Sequence, residues 1–192
     1  MPEYTLTANT PLDGFSQDFV GVSIKEVNDR AIVSIAVPKD GEKELVDALA
    51  SSYQIELPKT GLLSASSRDN AVLFSMAQDQ YFFIFDYEGN AAASTVRNDL
   101  GEAVYLTDQS DSYVMIRLSG INSRRLLSRI CPVDIHPSVF PVGSVARTIM
   151  EHLGATIIHE GEDSFLLLSA RSSAHSFLES IEMSAVNIEP IS

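Results

Sequence analysis

The sequence is poor in the features that most often announce a function. Of 192 residues only Cys131 is a cysteine, which excludes an intramolecular disulfide framework and fits a reducing cytoplasm. No apolar run reaches the ~18–20 residues that a membrane-spanning helix requires. The start, MPEYTLTANTPLDG, has neither a basic cluster nor an apolar stretch, so no signal peptide is expected. Positive charge is scarce: 13 Lys and Arg face 26 Asp and Glu, for a net charge of −13. Nucleic-acid binding rests on cations that neutralise phosphates, so this balance argues against it. Phosphate-cradling loops are missing as well. Gly120, Gly143 and Gly154 fit neither G-x-G-x-x-G nor G-x-x-x-x-G-K-[ST].

What is present suits a globular domain. Hydrophobic residues make up 45% and charged residues 20% of the chain, and this length can bury a core as one domain or two small ones. Charge is unevenly spread. Residues 1–110 hold 17 acidic and 7 basic groups, residues 111–192 hold 9 and 6, and every cation after Lys59 is an arginine. Arginine sheds water more easily than lysine and makes bidentate pairs, which leans toward a buried partner surface in the second half.

Residues 1–18 read as a loose arm, 19–110 as a first unit and 111–192 as a second. In the first, Val20–Val27 and Ala31–Val37 alternate like strands joined at Asn28-Asp29. Glu42–Ser52 has an apolar face (Leu45, Val46, Leu49, Ala50) and acidic residues in its first turn, which predicts a helix. Ile55–Asn70 reads as loop, Ala71–Met76 and Tyr81–Tyr87 as a hairpin, Ala91–Leu100 as a weak helix and Ala103–Thr107 as a strand. The Phe82, Phe83, Phe85 run belongs in a core or between sheets, since no basic residues flank it for base stacking.

The second unit starts with the stretch around which the chain is organised. YVMIRLSG is a strand ending at Ser119-Gly120; INSRRLLSRI is a helix with Ile121, Leu126, Leu127 and Ile130 on one side. CPVDIHPSVFPVG then carries Pro132, Pro137 and Pro141, which cannot continue a helix. Strands follow at Val145–Glu151, Ala155–His159 and Phe165–Ser169, then a helix at Ser173–Ser184 capped by its preceding serines, and a weak closing strand at Val186–Ile188. Both halves approach β-α-β-β-α-β. The fold class predicted is α+β: two similar split units with antiparallel or mixed sheets and helices on one face.

RLSG, a helix, then CPxDxHPxxFPxGxxARTxMEHLG resembles the gamma subunit of heterotetrameric sarcosine oxidase, over roughly Asp111 to Ala185. Val133, Ile135 and Val142 depart from the commoner Leu, Leu and Pro, conservatively in volume. The resemblance implies the fold of the folate-binding aminomethyltransferases and a non-catalytic, structural role in a complex that oxidatively demethylates sarcosine. It implies alpha, beta and delta partners, with alpha in direct contact. FAD, FMN, NAD, zinc and the use of tetrahydrofolate would then lie on other subunits, and none on this chain. A stand-alone folate-binding protein or enzyme of the aminomethyltransferase superfamily is the alternative, although no KGCYxGQE-like motif is present. A small homo-oligomeric scaffold is the third reading.

Catalytic chemistry is hard to find in the residues themselves. Cys131, Asp134 and His136 are close in sequence, but a structural zinc site needs about four ligands, and no second Cys or His pair supplies them. A thiolate–imidazole pair needs contact in space. The simpler expectation is that Asp134 and His136 bond to backbone of the proline segment. His152, His159 and His175 are isolated. Candidate interface residues are Val133, Ile135, Val139, Phe140 and Val142 of the proline-stiffened segment, ringed by Arg124, Arg125 and Arg129, with Arg171 beside the last helix. The other reading is that this segment plugs the chain's own core.

Overall fold

Segments with a period of two become strands whose alternate residues enter different layers. The computed structural model describes residues 9–188. Within them the order begins β1 (Ser16–Phe19), β2 (Val22–Glu26), β3 (Arg30–Ala36), α1 (Glu42–Tyr53), β4 (Leu63–Ala65), β5 (Val72–Ala77), β6 (Gln80–Asp86), α2 (Ala92–Leu100) and β7 (Tyr105–Asp108). It continues with β8 (Tyr113–Ser119), α3 (Ser123–Ile130), β9 (Val145–Met150), β10 (Leu153–Gly161), β11 (Ser164–Ala170) and α4 (Ala174–Val186). Two antiparallel sheets result, a five-stranded one in the order β4-β5-β6-β3-β7 and a six-stranded one in the order β1-β2-β8-β11-β10-β9.

The layers follow from the alternation. Ala31, Val33 and Ile35 of β3 pack with Phe83 and Phe85 against Leu45 and Leu49 of α1 and Val96 and Leu100 of α2. The residues between them, Ile32, Phe82 and Ile84, face Met115, Ile158, Leu166 and Leu168 of the other sheet. The outer face of that sheet, including Ile24, Ile116, Ile157 and Leu167, is covered by Leu126 and Leu127 of α3 and Phe177 and Ile181 of α4. Helices thus cover one face of each sheet, and the bare faces pack on each other. The phenylalanine run divides between both layers.

Several expectations need correction. Part of the supposed arm is ordered. Ser16–Phe19 pairs with β2, and Glu26 accepts hydrogen bonds from Leu12 N–H (2.9 Å), Gly14 N–H (2.7 Å) and the Thr10 hydroxyl (2.8 Å). Residues 1–8 of that arm lie outside the described residues. The layers also cut across the expected boundary at residue 111. β2 does not pair with β3; it crosses at Asn28-Asp29 into the other sheet and pairs with β8, Ser23 opposite Ser119. There it fills the position beside β8 that β7 fills beside β3. The closing strand at Val186–Ile188 is absent because the apolar spacing of Phe177, Ile181 and Ala185 carries α4 on through Val186. The serines before α4 form a 3-10 turn at Arg171–Ser173, and no side chain caps the helix. The expected loop 55–70 contains β4.

Candidate functional site

A glycine pair sets the geometry where the second unit's motif begins. Gly120 has φ +123°, and a Cβ there would lie 2.5 Å from the carbonyl oxygen of Gly21 in the β1–β2 turn. Only glycine lets the two turns approach this closely. Asn122 N–H donates to Gly21 O (2.9 Å) and its side-chain amide to Val20 O (2.8 Å), which fixes where α3 starts.

The proline segment after α3 has two faces. Val139 and Phe140 N–H both donate to His136 O (2.9 and 2.8 Å), a turn that points the two side chains apart. Ile135 and Phe140, interface candidates in the sequence, instead enter the chain's own core, with Phe140 6% exposed. Val133 packs against the same cluster from its edge. Val139 and Val142 stand outward at 59% and 56% exposure, among the exposed Pro132, Pro137 and Pro141. The physical reason is that a segment outside any ladder needs apolar anchors of its own; Ile135 and Phe140 supply them.

The arginines separate in the same way. Arg124 is half-buried: one Nη donates to the carbonyl of Ile135 and the other lies 3.0 Å from His159 Nε2, with the guanidinium 5.1 Å from the Phe165 ring centre. It serves the fold from within. Arg125 and Arg129 are exposed on the outer side of α3. Arg171 pairs with Asp111 (3.4 Å) and donates to Asn9 O (2.8 Å), so it ties the start of the described chain to α4.

Cys131, Asp134 and His136 each make contacts within their own turn. Asp134 accepts from His136 N–H (3.0 Å), and the His136 ring bonds Ser138 Oγ (2.8 Å), local turn chemistry as expected. Among the described residues no cluster of three or more metal-ligating side chains occurs. Burial pushes the Cys131 thiol up, and a Val133 N–H contact at 3.4 Å only partly offsets this. A raised thiol has less thiolate near neutral pH. Iodoacetamide should therefore label the native chain well below the rate of the urea-denatured chain at about pH 8; equal rates would mean that the thiol is open and activated.

Two groups escaped the sequence reading. One is His159, judged isolated, which sits 1% exposed under Phe140. The alternation Ala155, Ile157, His159 already placed it on the core face, which was the available signal. The other is a charge cluster between the sheets. Arg30, with a side chain 5% exposed, bonds Glu160 (2.6 Å) and the Asn70 carbonyl (2.6 Å) and pairs with Asp86 (3.4 Å); Arg117 meets Glu160 at 2.9 Å. Nothing in sequence distance brings these residues together.

Comparison with known proteins bears on the whole chain. Residues 40–186 match the family model described as sarcosine oxidase, gamma subunit family. A sarcosine oxidase subunit gamma from Corynebacterium sp. (strain P-1) is 28% identical over 153 residues, which are 79% of this chain and 73% of that protein. A chain of the heterotetrameric sarcosine oxidase from Corynebacterium sp. U-96 superposes with a TM-score of 0.78 at 20% identity, covering 96% of this chain and 99% of that one. The glycine cleavage system aminomethyltransferase T from Bartonella henselae shares the fold at a TM-score of 0.63 and 14% identity, over 91% of this chain and 56% of its own. The family match takes in β4 to β11 and the four described helices, and on it the chain belongs to the sarcosine oxidase gamma subunit family.

Proposed function

We propose that this chain is a structural subunit of a heterotetrameric sarcosine oxidase, assembled with alpha, beta and delta subunits in the cytoplasm, with alpha its direct neighbour. The observation that carries this reading is the family match over residues 40–186. The site geometry supports it. The reactive side chains of the family motif are engaged in local turns or against the core, as Arg124, Asp134, His136 and Cys131 show. FAD, FMN, NAD and zinc are assigned to other subunits, as is tetrahydrofolate.

The contact surface we assign is the outward face of the proline segment, Val139 and Val142 with the prolines around them, flanked by Arg125 and Arg129. Proline stiffening lowers the entropy that this face loses on docking. Val139→Glu with Val142→Glu in one chain tests it by co-expression with the other three subunits. The expected outcome is a chain whose Tm stays within about 2 °C of the unmodified one but which no longer co-purifies, with sarcosine oxidation lost from the pulled-down fraction. Undiminished co-purification of the double variant would show that the partner binds elsewhere.

A further inference from the structure

His159 holds a place in the core that the assembly role leaves unexplained. Its ring is stacked on Phe165 (centres 4.5 Å apart, planes at 11°) and under Phe140 (6.2 Å, 19°). A guanidinium carries donors only, so with Arg124 at 3.0 Å from Nε2, that nitrogen accepts. The imidazole is then neutral, with its proton on Nδ1. Nδ1 is itself buried and has no hydrogen-bond partner among the described residues.

Among the described residues no hydrogen bond or ion pair joins this ring to a carboxylate, although Asp29, Asp86 and Glu160 line a cavity with His159. From α3 the group that meets it is Arg124, a cation; Arg125 and Arg129 are exposed on the helix's outer side. From the proline segment, Asp134 and His136 are exposed and engaged with each other and Ser138, and Cys131 adds only a thiol to the same core. From β11 the facing side chain is Phe165. Glu160, next along β10, lies on the opposite face and is held by Arg30 and Arg117.

The attachments of the proline segment converge on this residue. Phe140 covers its ring. Gly143 N–H donates to His159 O (2.9 Å), and His159 N–H donates to Ser144 O (2.9 Å). Arg124, bonded to Nε2, donates onward to the Ile135 carbonyl.

From this convergence we infer that His159 is a proton-sensitive fastening for residues 131–144. Neutral, it accepts from Arg124 and keeps the segment seated. Protonated, it loses that bond, faces a second cation at contact distance and releases the segment with Phe140. Its consequence for assembly rests on the docking face proposed above: acid would disperse the partner surface by unseating it, without altering Val139 or Val142.

Two measurements on the full-length chain test this. The first is the tautomer of His159, from nitrogen-15 imidazole spectra at about pH 7.5. The second is amide hydrogen exchange at about pH 7.5 and about pH 5.5, corrected for the intrinsic rate. We expect an Nδ1–H tautomer. Protection of the Val139, Phe140 and Gly143 amides should fall about tenfold at the lower pH while β3 and β6 stay protected. His159→Gln keeps an acceptor for Arg124 but cannot take up a proton, and should remove the pH response. An Nε2–H tautomer, pH-independent protection in the unmodified chain, or an unchanged response in the Gln variant would each overturn the inference. Should the variant fail to fold, the unmodified chain still decides. A chain that shows the release yet never binds the other subunits refutes the docking face alone; one that binds them with pH-independent protection refutes the fastening alone.

Discussion

Truncating Phe140 to alanine should destabilise the isolated chain by about 3 kcal/mol, the lower end of what removing a buried phenylalanine costs. The ring is 6% exposed and packs over His159 inside the core that α3 and α4 share with the six-stranded sheet. For a chain of this size that energy corresponds to a Tm lowered by about 10 °C, which calorimetry or thermal circular dichroism reads directly. Val139, next in sequence and 59% exposed, is the internal control. Its truncation should move Tm by no more than about 2 °C. Equal effects at the two positions would mean that the segment has no inner and outer face, and the assignment of its outer face to a partner would go with it.

Arg30→Met is expected to have an effect of similar size by a different route. Its guanidinium is 5% exposed and bonds Glu160, whose side chain is itself only 17% exposed. Removing the cation leaves a carboxylate in the space between the sheets with Arg117 as its remaining cation. Removing one member of a buried pair costs roughly 3 kcal/mol or more; the Arg117 contact keeps this case at about that lower figure. Arg30→Met combined with Glu160→Gln should recover a substantial part of the loss, since the buried carboxylate is then gone and the charges that lose a partner, Asp86 and Arg117, are 47% and 33% exposed. If denaturant melts of the double variant show it no more stable than the single one, the cost lies in lost packing and the Asn70 carbonyl contact, and the ion pair contributes little.

The two cases also show what the sequence could and could not disclose. The helix at Glu42–Tyr53 and the strands β3, β6, β8 and β11 were legible because their periods are written in consecutive residues. The resemblance that led to the family rests on similarly local information, a strand, a helix and a proline-spaced segment. Pairings that join distant parts of the chain were not legible. Nothing at Val22–Glu26 says that it will lie beside β8 and not beside β3, because both alternatives bury the same face. Arg124 and Arg125 are indistinguishable as letters, yet one is half-buried against His159 and the other exposed. Helix phase separates them only once the helix's core side is known. The closing strand failed for a related reason: Ala185-Val186 suits either a last helical turn or a short strand, and packing against α3 decided for the helix, where Ser184 Oγ donates to Leu126 O (2.9 Å).

The placement of β2 has a consequence in time. Of the described strands β1 and β2 are synthesised first, but the strand that β2 must join, β8, follows only after the whole five-stranded unit. That unit can collapse around α1 and α2 while β2 waits with one apolar edge of Val22 and Ile24 uncovered. The six-stranded sheet then closes around its earliest and latest parts together, a long-range pairing of the kind that slows folding and leaves intermediates sticky. Synthesis order therefore leaves the β1–β2 hairpin without its neighbouring strand until β8 has been made.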